Sequence, residues 1–138
     1  MLRGAAKRQF GARLAKLAVE ANPDLSDAKR EKELRRYDYA PLVLVVSAKI
    51  DEESKVPVLE QDLTAGCVAY NVLLGAQALG YGAQWLTGWA AYDRNVAKLL
   101  GMKKNEHVIG FLHIGTPSMD APERERPAYD EIVSVWTP

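Results

Sequence analysis

From Leu63 to Tyr92 the chain carries no charged side chain. A stretch of that length has to be covered, by the protein interior, by another subunit or by a bilayer. Thr64, Asn71, Gln77 and Gln84 interrupt its apolar character, and Gly80, Gly82 and Gly88 break it. The pattern therefore predicts a buried helix followed by a strand and no membrane span. The helix is predicted over residues 59–79, about 30 Å at the standard rise per residue, with Gly80 where a helix commonly stops. Its middle, Ala65-Gly66-Cys67-Val68-Ala69-Tyr70 and Val72-Leu73-Leu74-Gly75-Ala76, is apolar or small on nearly every side. A helix apolar all round is expected in a core. Its small residues also let another backbone approach closely, and a subunit partner is one candidate.

Around this segment the remaining elements follow from periodicity. Residues 4–21 predict a helix with Phe10, Leu14, Leu17 and Ala18 at helical spacing, ended by Asn22-Pro23-Asp24. A second helix over residues 26–36 has Ser26 as its expected cap and few apolar positions. Leu42-Val43-Leu44-Val45-Val46 predicts a central strand covered on both faces. Residues 83–86 predict a short strand closed by Thr87-Gly88. Asp93 is expected to cap a helix through Leu100, and residues 108–114 a second buried strand. Residues 118–127 read as an extended arm, and Ile132-Val133-Ser134-Val135-Trp136 as a short final strand. The order suggests helices layered on a small sheet.

At 138 residues, 48% hydrophobic and 26% charged, the chain is one globular domain over residues 1–138. Eighteen basic side chains balance eighteen acidic ones, so a nucleic-acid binder, which needs a basic excess, is not expected. The ten basic residues within 1–36 read as a solvated surface rather than a phosphate-attracting face. Residues 1–20 show no secretory pattern. Cys67 stands alone, so no internal disulfide forms, which fits a reducing, cytoplasmic setting. Within the apolar helix it reads as a small packed hydrophobe. His107 and His113, six positions apart, would face the same side of a regular strand. With one cysteine they are too few for a typical closed metal site, and none is expected. No nucleophile elbow and no Gly-rich phosphate loop is present, and no side chain stands out as catalytic.

Leu79-Gly80-Tyr81-Gly82-Ala83-Gln84-Trp85-Leu86-Thr87-Gly88-Trp89 is the most informative stretch. Here the chain resembles the nitroreductase family of FMN-dependent oxidoreductases. The likeness runs from Arg36 through Pro41-Leu42-Val43, Lys55-Val56-Pro57, Glu60-Gln61 and Ala65-Gly66-Cys67. It continues to Asp93, Leu99-Leu100-Gly101, Val108-Ile109-Gly110-Phe111-Leu112 and Gly115-Thr116-Pro117.

The resemblance implies an α+β fold: a three-layer α-β-α sandwich with a small mixed sheet around a long central helix. It also implies a homodimer through the helix of residues 59–79, FMN as cofactor and NAD(P)H as co-substrate. The expected reaction is ping-pong transfer of hydride through FMN to nitroaromatic- or quinone-type acceptors. The ring performs the hydride chemistry, so no triad is required. By resemblance Trp85, Leu86, Thr87 and Gly88 lie against the ring, with the N–H groups of Thr87 and Gly88 at its reactive edge, and Trp89 lines the substrate side. Arg124 and Arg126 fall where the family has cations for the FMN phosphate. A solvated charged arm is the other reading of those two.

The family's Arg-Arg-Ser segment and its Asn or Gln before Pro-Trp do not occur here. The expectation is a family domain lacking its N-terminal section. This leaves a second functional expectation, a non-catalytic binding or assembly module on the same scaffold that has lost FMN.

Overall fold

The computed structural model describes residues 1–137. The elements are β1 (Leu2–Arg3), α1 (Ala5–Ala21), α2 (Asp27–Arg35), β2 (Leu42–Lys49), α3 (Val58–Ala78), β3 (Gly82–Leu86), α4 (Trp89–Tyr92), α5 (Arg94–Leu99), β4 (Glu106–Gly115) and α6 (Tyr129–Ile132). The four strands form one sheet in the order β1-β2-β4-β3. Every pairing is antiparallel, so the sheet is not mixed as expected. β2 and β3 run in the same direction, but β4 lies between them and pairs with both.

The α+β layering holds. One face of the sheet carries Val43 and Phe111, which pack with Phe10 and Leu14 of α1, Tyr37, Ala90, Ala91 and Val96. Phe10, Tyr37 and Phe111 form an aromatic cluster, with edge-on centroid distances of 5.0 Å for Phe10–Tyr37 and 4.9 Å for Tyr37–Phe111. Such pairs contribute about 0.5–1.5 kcal/mol each beyond their buried area. Buried Lys7 joins α1 to the approach to β2: its Nζ donates to the carbonyls of Asp38 and Ala40. α3 covers the opposite face, packing on β2, β4 and β3.

Local capping matches the chain's chemistry in part. Asp93 Oδ1 accepts from the N–H of Asn95 at 2.7 Å and of Val96 at 3.0 Å, as its position before α5 predicts. Ser26 stands at the N-cap of α2, but its hydroxyl makes no capping bond. Gln61, in the first turns of α3, accepts from the Asp51 N–H and donates to the carbonyls of Asp51 and Val56. One amide thereby fixes the loop between β2 and α3.

Four further expectations are corrected. First, α3 is not a core helix within this chain. Only Ala69 and Ala76 are buried on it, while Leu63 is 60% and Tyr70 56% exposed. The sheet covers one stripe of α3, and an all-apolar helix has more surface than one stripe. Cys67 is accordingly exposed rather than packed.

Second, β2 is interior to the sheet but is not fully covered on both faces: Val43 is buried, whereas Leu44 and Val46 are only half-buried.

Third, His107 and His113 lie on opposite faces. Val46 pairs with Gly110 and Ser47 with Val108, so Ile109 is an extra residue in β4. Such a bulge reverses the alternation of side chains. His107 accordingly reaches Asp62 of α3, and His113 stacks on Tyr37.

Fourth, Ile132–Trp136 forms no strand. The chain makes the short α6 and then runs extended without a ladder partner, and every residue from Thr116 to Thr137 is exposed.

No helix among the described residues is long and apolar enough to cross a membrane.

Candidate functional site

β3 ends in the turn that the sequence singles out, and the alternation of a strand divides its residues between two sides. Trp85 pairs with Leu112 and faces α3. Its Nε1 donates to the Ile109 carbonyl at 3.1 Å. A Cβ on Gly110 would lie 2.0 Å from that nitrogen, and one on Gly66 would lie 3.8 Å from the far edge of the ring. The indole is thus wedged between the bulge of β4 and helix α3. Leu86 pairs with Phe111 and faces the other way, partly exposed. Thr87 is half-buried. Trp89 opens α4 and packs against the aromatic core.

Gly88 is exposed and has φ 71° and ψ −175°, a backbone conformation that only glycine adopts at low cost. Its carbonyl accepts from the Ala91 N–H at 3.1 Å. Its own N–H donates no hydrogen bond among the described residues. A flat group can therefore approach this position closely and find a free donor there.

Sequence reasoning did not single out the cation beside that glycine. A Cβ on Gly88 would lie 3.0 Å from Arg36 Nη1. The Arg36 guanidinium is held in a fork by Glu33, with Nε to Oε2 at 2.8 Å and Nη2 to Oε1 at 2.5 Å. Both side chains are largely buried. The hydrogen bond to Glu33 holds the guanidinium pKa above its ordinary value, against the opposing effect of burial. The signal was the Glu33/Arg36 spacing of three at the end of a helix, which places the two on one face.

Behind Arg36, His113 is buried and stacked on Tyr37 at 5.5 Å, and its Nε2 has no hydrogen-bond partner. Burial lowers its pKa, with the Lys7 and Arg36 charges adding to the shift. Burial likewise raises the Tyr37 phenol. Both groups are neutral near pH 7.

The two cations expected for a phosphate stand elsewhere. Arg124 and Arg126 are exposed on the arm. Arg126 Nη1 donates to the Arg124 carbonyl at 2.9 Å, and neither side chain hydrogen-bonds to the Trp85–Gly88 turn. On the far face His107 Nε2 lies 2.9 Å from Asp62 Oδ1, close enough for an ion pair but not aligned as a hydrogen bond. Among the described residues no cluster of three or more His, Cys, Asp or Glu side chains is arranged to hold a metal.

The sequence pattern of the Nitroreductase family matches residues 1–116. The chain belongs to the nitroreductase family. It is 32% identical over 121 residues to the protein named NAD(P)H nitroreductase YdjA of Escherichia coli K12. That match covers 88% of this chain and 65% of the relative, so this nitroreductase-family chain spans less than two thirds of the relative's length.

Two solved structures share the fold. The nitroreductase-like family protein of Bacillus cereus matches with a TM-score of 0.76 at 19% identity, over 97% of this chain and 70% of that one. A nitroreductase of Bacteroides fragilis with bound FMN matches with a TM-score of 0.66 at 18% identity, over 99% and 73%.

Proposed function

We propose that this chain supplies the sheet, the turn and the interface helix of an FMN-dependent oxidoreductase. In this reading hydride passes from NAD(P)H through FMN to nitroaromatic- or quinone-type acceptors in ping-pong order. The observation that carries it is Gly88, whose open left-handed turn presents an unused N–H beside the Arg36 guanidinium. A backbone donor and a cation at the edge of a site fit a flat ring bearing acceptor atoms and taking on negative charge. The B. fragilis nitroreductase that shares the fold holds FMN, and the E. coli relative is named for NAD(P)H. When bound, FMN supplies the hydride chemistry.

The protein's own residues bind and orient. Leu86, Thr87 and Gly88 form the surface against the ring. Trp85 holds that surface from behind by its bond to Ile109. Trp89 borders the substrate side, and Arg124 and Arg126 reach the phosphate from the arm. The exposed face of α3 packs against a second copy in a homodimer, because an apolar surface of this extent is unfavourable in water. The free thiol of Cys67 is consistent with the cytoplasm.

One observation favours a second reading, a binding or assembly module without flavin: in the single chain Arg124 and Arg126 are not joined to the turn. Flavin content discriminates the two. The purified protein, incubated with FMN and desalted, is expected to retain yellow colour at close to one flavin per chain. Protein that stays colourless after this treatment would overturn the oxidoreductase reading in favour of the module.

A further inference from the structure

We propose that Arg36 is a flavin-binding residue that contacts the ring itself, through its free Nη1, and sets how readily the bound flavin is reduced. The inference rests on the flavin reading above and assigns a residue that reading does not use. Two of the three guanidinium nitrogens are occupied by Glu33. The third, Nη1, makes no hydrogen bond among the described residues and lies beside Gly88, 3.0 Å from where a Cβ would stand. It therefore borders the same opening as the unused Gly88 N–H.

The geometry selects the kind of atom it meets. A phosphate dianion is best held by a guanidinium with two parallel donors free. Arg36 has already given its Nε/Nη2 fork to Glu33, which leaves the N–H groups of Nη1 for a ring carbonyl oxygen or ring nitrogen. Glu33 is 8% exposed, and this pairing fixes the direction of Nη1 before any ligand arrives. A pre-oriented donor loses little freedom on binding. The charge nearest the Gly88 N–H is the Arg36 guanidinium. Arg36 and the buried Lys7 are the cations on this side of the sheet near His113, which is itself neutral. Glu33 offsets Arg36 in part, and Asp38 lies 3.9 Å from Lys7. A cation close to the ring favours whichever redox form carries more negative charge, so Arg36 makes reduction easier.

The test is flavin binding and reduction potential in the full chain. Arg36→Met alone would leave the Glu33 carboxylate buried and unpaired. The informative variant is therefore Arg36→Met with Glu33→Gln, and Arg36→Lys is the charge-keeping comparison. Dissociation constants for FMN and for riboflavin are read by quenching of flavin fluorescence, and the potential by equilibration with a reference dye. In the double variant we expect both flavins to bind about tenfold more weakly, the scale of one charge-assisted hydrogen bond, and the potential to become more negative. Arg36→Lys should recover part of the potential. A folded double variant with unchanged affinity and potential overturns the assignment. So does a loss for FMN with none for riboflavin, since that would make Arg36 a phosphate ligand. If the unaltered protein binds neither flavin, the flavin reading itself fails and this inference falls with it.

Discussion

The Trp85 indole donates its N–H to the carbonyl of Ile109, the residue that the pairing of β4 with β2 skips. An edge strand and a bulge are thereby tied together. The ring fits because Gly110 has no side chain; a Cβ there would meet Nε1 at 2.0 Å. Trp85→Phe puts a smaller ring without the donor in place of the indole, and should cost about 2–4 kcal/mol, the lost hydrogen bond plus the space left unfilled. Gly110→Ala drives a methyl into a rigid ring and should cost about 1–3 kcal/mol. Urea denaturation checks both, and each should be less stable than the unaltered protein. Equal stability of Gly110→Ala and the unaltered protein would remove the indole from its place.

Gly88→Val tests the turn. A β-branched residue at φ 71° is strained, and its Cβ meets Arg36 Nη1 at 3.0 Å. The variant is expected to lose about 1–3 kcal/mol of stability, to keep a native circular dichroism spectrum, and to retain no FMN after desalting. Unchanged FMN retention would move the site away from Gly88.

The arm makes a separate prediction. Arg124→Ala with Arg126→Ala removes two exposed cations and should leave stability within about 0.5 kcal/mol. FMN binding should weaken while riboflavin binding does not, because only FMN carries the phosphate. Equal effects on the two flavins would take these arginines out of the site.

His113 predicts a pH dependence. Its pKa in the folded chain lies below the ordinary 6.5 because burial and the Lys7 and Arg36 charges disfavour the proton. Below about pH 6.5 the unfolded chain takes up a proton that the folded chain refuses, so stability falls with pH until the folded pKa is reached. Above that window the group contributes no slope. His113→Phe preserves the stack on Tyr37 and should flatten the curve just below about pH 6.5, where the slope is up to about 1.4 kcal/mol per unit. Denaturation midpoints of the two proteins across that range decide it, and parallel curves would mean that His113 takes its proton freely when folded.

Leu63→Arg probes the uncovered side of α3. The residue is 60% exposed in the single chain, so the substitution should alter the stability of an isolated subunit by no more than about 0.5 kcal/mol. Sedimentation velocity should show a dimer for the unaltered protein and a monomer for the variant. A variant that sediments like the parent would place the interface elsewhere.

Much of this architecture is legible in the sequence because it is written locally. The apolar spacing in residues 4–21, the run at Leu42–Val46, the Asp93 cap and the glycine that ends α3 each rest on neighbours within a turn or two, and each element formed where expected. What was not legible depends on partners distant in sequence. The histidines separate because one residue bulges. Ile132–Trp136 has strand-forming side chains but no ladder to join. α3 reads as interior because hydropathy reports that a surface must be covered, not which chain covers it. At the candidate site the Trp85–Gly88 turn stood out through its glycines and tryptophans. Arg36 did not, since nothing in a string of surface charges shows which one a buried glutamate will aim.

Ile109 gives β4 a handedness of environment along its own length. Upstream of it the odd-numbered His107 faces the helix that carries Cys67; downstream the odd-numbered Phe111 and His113 face the aromatic cluster. The stretch between Glu106 and Gly115 thus behaves as a spacer of fixed count. Changing a side chain within it alters a contact, whereas shortening it by one position would exchange the surroundings of every side chain on one half of the strand.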